Sequence, residues 1–282
     1  MRNTIRLTDY TIEKLQEIFQ IADDLQEGKY KNFLRDKTVI MFFPASSIRT
    51  RVTFEKGIYL LGGQTIVFPP ETLDKKENIE DATGYLNNWA DAVVIRHRNI
   101  EVLEEMSKYS EFSVINAMTD VNHPCEILSD LYALSKIRND FRKDRYLFVG
   151  AKGNIGGAWK EAAEAFGLTF GQCCPSGYEM EGVSYFTDLK EAVKGVDIIC
   201  TDSTPSEVLP DFKNHQITVD VMDMANRNAI LNPCPPFYRG EEVSRDVINS
   251  IYFVGYKFKK HLMEIQQAVI IYNLTHNDEK NK

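Results

Sequence analysis

The stretch Phe42-Phe43-Pro44-Ala45-Ser46-Ser47-Ile48-Arg49-Thr50-Arg51-Val52-Thr53-Phe54-Glu55 decides the architecture. It opens as the end of an apolar run from Thr38, meets Pro44, passes small hydroxyl residues, and continues with helical periodicity over Arg49–Leu61. A strand that hands over to an amphipathic helix through a tight turn is the unit from which parallel α/β sheets are assembled. Ser46 and Ser47 are N-cap residue types, and the first turn of any helix leaves backbone N–H groups unsatisfied. Those donors and the helix dipole suit an anion. Arg49 and Arg51 stand in that same turn, where the dipole favours Asp or Glu over cations. The pattern reads as a helix start kept for a bound anion, although a capped helix with two solvated arginines would carry the same residues.

Working outward, the same alternation repeats along the chain. Strands are predicted at Thr38–Phe43, Ala92–Arg96, Ser113–Asn116, Arg145–Val149, Leu168–Cys173, Val196–Thr201, Ile217–Val221 and Ala229–Leu231. Helices are predicted at Thr11–Gln26, Arg49–Leu61, Ile79–Ala90, Glu126–Arg138, Gly157–Phe166 and His261–Tyr272. The charged stretch Lys136-Ile137-Arg138-Asn139-Asp140-Phe141-Arg142-Lys143 separates a helix from a fresh strand and marks a domain boundary. The expected fold class is α/β: two doubly wound parallel-sheet domains, 1–137 and 138–257, with a C-terminal helix in 258–282 returning to the first. The polar tail after Thr275 is expected to fray.

A length of 282 residues is comfortable for two such domains. The net charge of −8 argues against a nucleic-acid partner, which calls for a basic excess. The N-terminal ten residues contain no signal-peptide core, and no apolar run is long enough to span a bilayer. We expect a soluble, cytoplasmic protein with no membrane partner. Five cysteines, Cys125, Cys173, Cys174, Cys200 and Cys234, are an odd number without metal-type spacing, so no disulfide framework and no metal site is expected.

Two further segments carry chemistry. Ala92-Val93-Val94-Ile95-Arg96-His97-Arg98 is an apolar strand ending in three basic residues, and strand ends on one sheet edge are where α/β proteins build sites. A simple exit into solvent accounts for the charges as well. Val114-Ile115-Asn116 leads through a loop to His123-Pro124-Cys125-Glu126, with Pro124 suited to a first helical position. A histidine beside a helix N-terminus tends to stay neutral, so it can donate one hydrogen bond to an oxygen; such a histidine can equally be structural.

Taken together the three segments resemble the aspartate/ornithine carbamoyltransferase family. Its Ser-x-Arg-Thr-Arg motif stands here as Ser47-Ile48-Arg49-Thr50-Arg51, followed by Gly62-Gly63; Arg96 matches the arginine that ends its next strand. His123-Pro124-Cys125-Glu126 matches its His-Pro-x-Gln motif, with Asp130-Leu131 behind it. The resemblance implies that carbamoyl phosphate is bound by Ser47, Ile48, Arg49, Thr50, Arg96, His123 and Glu126, together with Cys234 and Pro235 from the second half. Arg96, His123 and Thr50 are its implied catalytic residues, gathered round the carbonyl oxygen. Negative charge that develops on that oxygen is stabilised by preorganised donors, at roughly 3–4 kcal/mol for a good one. Arginines then neutralise the departing phosphate. The family implies no cofactor and a homotrimer, or a multiple of trimers, in which a neighbouring subunit supplies a lysine; Lys75 and Lys76 are the candidates, in what otherwise reads as a charged surface loop. Glu126 departs from the family glutamine and places a carboxylate where a phosphate is expected.

In the second half, Tyr146-Leu147-Phe148-Val149-Gly150-Ala151-Lys152-Gly153-Asn154-Ile155-Gly156 is a strand, a glycine turn and a helix, which also fits a dinucleotide fingerprint. Against that rival, a nicotinamide-dependent oxidoreductase, the next strand ends in Gly171-Gln172-Cys173-Cys174 with no acid for a ribose. Asn232-Pro233-Cys234-Pro235-Pro236 resembles the family's His-Cys-Leu-Pro loop, in which a cis proline is expected. Aligned ungapped, Cys234 matches the family cysteine; with one insertion, Cys234-Pro235 matches the Leu-Pro step. Arg239-Gly240-Glu241-Glu242-Val243 follows as in many ornithine enzymes. The ornithine branch's Asp-x-Trp-x-Ser-Met-Gly survives only as Asp202 and Ser206, which join Asn154 as implied acceptor-binding residues. The family arginine near the C-terminus is missing, with Lys259, Lys260 and His261 in its vicinity. The implied activity is carbamoyl transfer to the amine of an amino acid, ornithine the leading acceptor. The alternatives are a paralogue with another amine acceptor and a catalytically silent binding or regulatory protein.

Overall fold

Parallel strands buried on both faces read as continuous apolar runs, and two such runs, residues 39–42 and 92–95, make the centre of the first sheet. The computed structural model describes residues 2–276. It places strands β1 at Thr38–Phe42, β2 at Gln64–Phe68, β3 at Ala92–Arg96 and β4 at Ser113–Met118. Helices α1 (Ile12–Gln26), α2 (Arg49–Leu60), α3 (Ile79–Leu86), α4 (Ile100–Tyr109) and α5 (Pro124–Ile137) alternate with them. Further on come β5 (Arg145–Val149), α6 (Asn154–Phe166), β6 (Thr169–Cys173), β7 (Tyr185–Phe186), α7 (Leu189–Ala192), β8 (Ile198–Thr201), α8 (Val219–Met222), β9 (Ile230–Pro233) and α9 (Leu262–Thr275). The chain forms two compact units: one runs to Ala133 and resumes at Lys260, the other spans Leu134–Lys259, so the division falls inside α5.

The first unit holds a four-stranded parallel sheet in the order β2-β1-β3-β4. Phe42 of β1 lies opposite Ile95 of β3, and Ile95 opposite Asn116 of β4. These strands therefore end along one edge, where the loops carrying Ser47, Arg96 and His123 emerge. One face of the sheet is sealed by Ile40, Phe42, Val93, Ile95 and Val114 packed on Leu103 and Met106 of α4. Helix α9 is apolar nearly all round, which marks an enclosed helix, and it packs on α1 and α2, where Gln267 Nε2 donates to the Gly57 carbonyl at 2.9 Å.

The second unit holds a five-stranded parallel sheet, β7-β6-β5-β8-β9. Val149, Thr201 and Pro233 lie side by side in register, so Gly150, Asp202 and Cys234 leave the sheet next to one another. Its core gathers Leu147, Val149, Ile199 and Leu231 against Val193, Val221, Met222 and Val247. Two doubly wound parallel sheets, with the last helix back in the first unit, are the α/β class expected above.

One predicted strand is overturned. Ile217–Val221 is not a strand: Ile217 makes only an isolated bridge to Val243, and the Thr218 side chain caps the short helix α8 by accepting from the Val221 N–H at 3.3 Å. An N-cap hydroxyl wins there over β-branched propensity. Two strands, β2 and β7, and two helices, α4 and the four-residue α7, go beyond the prediction. β2 is an edge strand exposed on alternate residues, and β7 has two residues. Helix α4 carries a full signal: Asn99 as N-cap, accepting from the Glu101 N–H at 2.9 Å, and Ile100, Leu103 and Met106 on its buried side. The tail expected to fray lies, from residue 277, outside the described residues.

Candidate functional site

The start of α2 differs from its expected form in a way that matters. Neither Ser46 nor Ser47 caps the helix; the N-cap position is Ile48, in helical conformation and without a side-chain cap. The first-turn N–H groups, which have no carbonyl four residues back to use, are thus not answered by a cap. Ser47 is instead buried, its N–H donating to the Pro44 carbonyl at 3.0 Å and its Oγ accepting from Arg96 Nη1 at 3.0 Å. That bond joins the first and second sequence motifs in space. Thr50 is buried in the first turn and Arg49 is exposed beside it. Arg51 turns away from this role: its Nε donates to Glu55 Oε1 at 2.6 Å, one turn along the helix.

At the end of β3 the register with β4 shifts between Ile95 and Arg96, so that Arg96 pairs with Met118. Such a bulge re-aims the side chains that follow it. His97 is buried; its Nε2–H donates to Asp74 Oδ1 at 2.9 Å, and its Nδ1 accepts from the Asn99 N–H at 3.1 Å. Both ring nitrogens therefore have a polar partner. Asp74 closes the short 3-10 segment Pro70–Asp74, immediately before Lys75 and Lys76, which are exposed.

The loop that launches α5 is held by a buried polar knot. Asn122 Oδ1 accepts from Asn116 Nδ2 at 2.6 Å and from Thr119 Oγ1 at 3.0 Å, and both asparagine amides donate to the Ile5 carbonyl. The knot fixes His123, Pro124 and Glu126 at the head of the helix, with His123 and Glu126 buried three residues apart. Cys125, between them, faces the interior: burial, with the Glu126 charge adding to it, pushes its thiol up to about 12, so it is no nucleophile.

In the second unit the glycine turn proves to be a packing device. A Cβ on Gly156 would lie 2.9 Å from the Phe148 ring and 3.0 Å from Met180 Sδ, so only glycine lets α6 sit this close to β5. Gln172, buried in β6 where the rival reading would want an acid for a ribose, donates through Nε2 to the Gly150 and Tyr178 carbonyls and accepts from the Met180 N–H. Its amide braces the turn. Asn154 opens α6, Asp202 follows β8, and Cys234 follows β9 with its N–H donating to the Thr201 carbonyl at 2.8 Å. The Pro235–Pro236 peptide is cis. Ser206 lies farther along, lining a cavity of about 380 Å³ with Phe212, Lys213, Gln216 and Glu241.

The sequence residues thus gather on two strand-end edges. Ser47, Thr50, Arg96, His123 and Glu126 belong to the first; Asn154, Asp202, Cys234 and Pro235 belong to the second. Ser206, Lys75 and Lys76 stand on loops away from the strand ends. The His97–Asp74 bond, 23 positions apart in sequence, had no signal in motif or spacing; nor did the partnership of Lys213, Gln216 and Glu241 with Ser206. All five cysteines are buried and unbridged, and among the described residues no helix is long and apolar enough to cross a membrane.

These edges coincide with two known domains. Residues 2–136 match the family domain described as aspartate/ornithine carbamoyltransferase, carbamoyl-P binding domain, and residues 143–273 match the Asp/Orn binding domain of the same family. An ornithine carbamoyltransferase of Syntrophotalea carbinolica is 30% identical, the match covering 94% of this chain and 96% of that one. Another, of Methylobacillus flagellatus, is 30% identical over 97% of both. Among solved structures, the ornithine carbamoyltransferase of Pyrococcus furiosus superposes with a TM-score of 0.91 at 28% identity, covering 98% of this chain and 97% of that one. The one from Burkholderia thailandensis gives 0.90 at 26%, covering 97% and 99%. With both halves matched and relatives aligned from end to end, the chain belongs to the aspartate/ornithine carbamoyltransferase family.

Proposed function

We propose that the protein transfers the carbamoyl group of carbamoyl phosphate to the side-chain amine of ornithine. The observation that carries the donor half is the Arg96–Ser47 bond at the uncapped start of α2, which places a guanidinium beside first-turn N–H groups. In this reading Ser47, Ile48, Arg49 and Thr50 hold the phosphate through side chains and backbone N–H groups. Arg96, His123 and Thr50 face the carbonyl oxygen, and Glu126, Cys234 and Pro235 face the carbamoyl amide.

The reaction asks little of the protein beyond position and charge. The amine nitrogen, as the neutral base, attacks the carbonyl carbon; an N–C bond forms and the carbonyl electrons move to oxygen. When they return, the C–O bond to phosphorus breaks and phosphate leaves with the electron pair. The attacking nitrogen loses a proton, so carbamoylated amine and phosphate are the products. Donors aimed at the oxygen act where charge appears only in the transition state, which accelerates the step rather than merely tightening the substrate.

Ornithine is favoured by the matched Asp/Orn domain and by the relatives, which are ornithine carbamoyltransferases. Asp202, Asn154 and Ser206 are the proposed acceptor contacts. A different amine remains the second reading, because the acceptor loop Thr201-Asp202-Ser203-Thr204-Pro205-Ser206-Glu207 lacks the ornithine branch's Trp and Met-Gly. By the same family likeness we propose a cytoplasmic homotrimer in which Lys75 and Lys76 serve a neighbour's site. The test is carbamoyl-phosphate-dependent phosphate release over a panel of ornithine, N-acetylornithine, aspartate, lysine and putrescine. Release with ornithine above all others supports the proposal; release with another amine alone replaces ornithine; none with any amine favours the silent paralogue.

A further inference from the structure

We propose that Asp74 is a positioning residue: its bond to His97 clips down the root of the loop that carries Lys75 and Lys76. The inference rests on the reading above that these lysines act on a neighbouring subunit's donor site.

A loop lysine is a poor catalytic tool unless its base is fixed, because ordering a long side chain and its backbone costs conformational entropy. The structure fixes this base twice. Leu73 is buried in the cluster of Ile40, Phe42, Val93 and Ile95. One residue later Asp74, itself half-exposed, accepts from the buried His97 at 2.9 Å. His97 in turn is held by the Asn99 N–H and by its own N–H donating to the Met118 carbonyl at 3.0 Å. The clip therefore runs from the loop to the strand end next to Arg96, and the two lysines leave it in the next two positions.

The sign of the effect separates this role from plain electrostatics. Near a phosphate a carboxylate repels, so if Asp74 acted only through its charge, Asp74→Ala would tighten carbamoyl phosphate. If it positions the lysines, the same change weakens them.

The experiment compares Asp74→Ala, Asp74→Asn and the double variant Lys75→Ala/Lys76→Ala, all checked for unchanged melting temperature and oligomeric state. We expect Asp74→Ala to raise the KM for carbamoyl phosphate about tenfold, as misplacement of a binding group does. We expect Asp74→Asn, which keeps an acceptor for His97, to recover most of that loss. Each variant is then co-expressed with Arg49→Ala under a second affinity tag, and hybrids carrying both tags are isolated. In a cyclic trimer every such hybrid has one cradle with Arg49 facing one intact loop, so at carbamoyl phosphate well below its KM about a third of wild-type activity returns. Rescue of Arg49→Ala by Asp74→Ala, as by the double lysine variant, supports the clip. Rescue by the lysine variant but not by Asp74→Ala overturns it, since Asp74 would then serve its own subunit's cradle. Tighter carbamoyl phosphate in Asp74→Ala overturns it as well. If the lysine variant itself loses nothing, or fails to rescue, the crossed-loop reading falls, and the clip with it.

Discussion

The two units use the same device, a row of parallel strands ending side by side, and leave very different marks in the sequence. In the first, the donor residues stand in three compact motifs, each straddling a strand end and a helix start. In the second, the proposed acceptor residues stand singly: Asn154 opens α6, Asp202 leaves β8, and Ser206 lies on a loop beyond them. The difference follows from what each half has to hold. A phosphate is recognised by helix-start N–H groups and arginines, which demand a particular local sequence. An amine acceptor can be held by scattered polar groups on loops that tolerate change. The comparison teaches that the donor edge is the constrained one and the acceptor edge the place where specificity can move.

The comparison breaks most directly at Arg49. Arg49→Ala removes an exposed guanidinium from an uncapped helix start, so we expect carbamoyl-phosphate affinity to fall on the order of a hundredfold with folding unaffected. Titration calorimetry on the folded variant checks this, and unchanged affinity removes the phosphate from this edge. A smaller effect is expected at Glu126, where the family carries glutamine. Buried at the head of α5, its carboxylate is expected to answer a cation of the bound acceptor or a lysine. Glu126→Gln then lowers turnover about tenfold with little change in carbamoyl-phosphate affinity; tighter binding with undiminished turnover shows a carboxylate that only repels.

Much of the first unit was legible because its fold and its chemistry use the same residues. Arg49 and Thr50 open the helix and, with Ser47 just ahead of it, form the proposed cradle. What escaped was whatever depends on distant partners. Asp74 meets His97 only because the 3-10 segment after β2 comes to the end of β3, although β1 lies between those two strands in the sheet. Ser46 and Ser47 looked like caps, yet Ser47 is turned inward by Arg96. In the second unit Ile217–Val221 has strand propensity at every residue but Asp220, and the Thr218 cap makes Val219–Met222 helical instead. The glycines of the turn after β5 also fitted a dinucleotide fingerprint; Gln172, whose amide braces Gly150, stands where that reading wants an acid.

On the acceptor edge the expected effects shrink. Ser206→Ala removes one hydroxyl from the cavity wall, and we expect the KM for the amine to rise about fivefold, one hydrogen bond's worth, with carbamoyl-phosphate affinity untouched. Steady-state kinetics in both substrates would expose an error if the two constants moved together. Ligand-dependent melting sharpens the same contrast: carbamoyl phosphate at about 100 times its Kd adds about 2.7 kcal/mol of stability, whereas neither nicotinamide nucleotide shifts the transition. A shift with the dinucleotide alone would return the glycine turn to its rival reading. The smallest effect concerns stability. Burial lowers the His215 pKa below its usual 6.5, so the folded unit holds it neutral while the unfolded chain protonates it first. Stability is therefore full above pH 6.5 and declines as the pH falls through that value towards the folded pKa. Denaturant titrations between pH 7.5 and 5.5 should show the decline, and His215→Phe should flatten it.

Because α9 belongs to the first unit while the second occupies Leu134–Lys259, the second unit is in effect an insertion inside the first. Vectorial synthesis delivers the whole of the inserted unit before the helix that seals α1 and α2 has left the ribosome. The acceptor half can mature on its own schedule; the donor half waits for α9. Gln267, which anchors that late helix to Gly57 of α2, thereby ties completion of the arginine-bearing helix to the arrival of α9. A stop a few codons early in α9 would cost the protein its donor chemistry first.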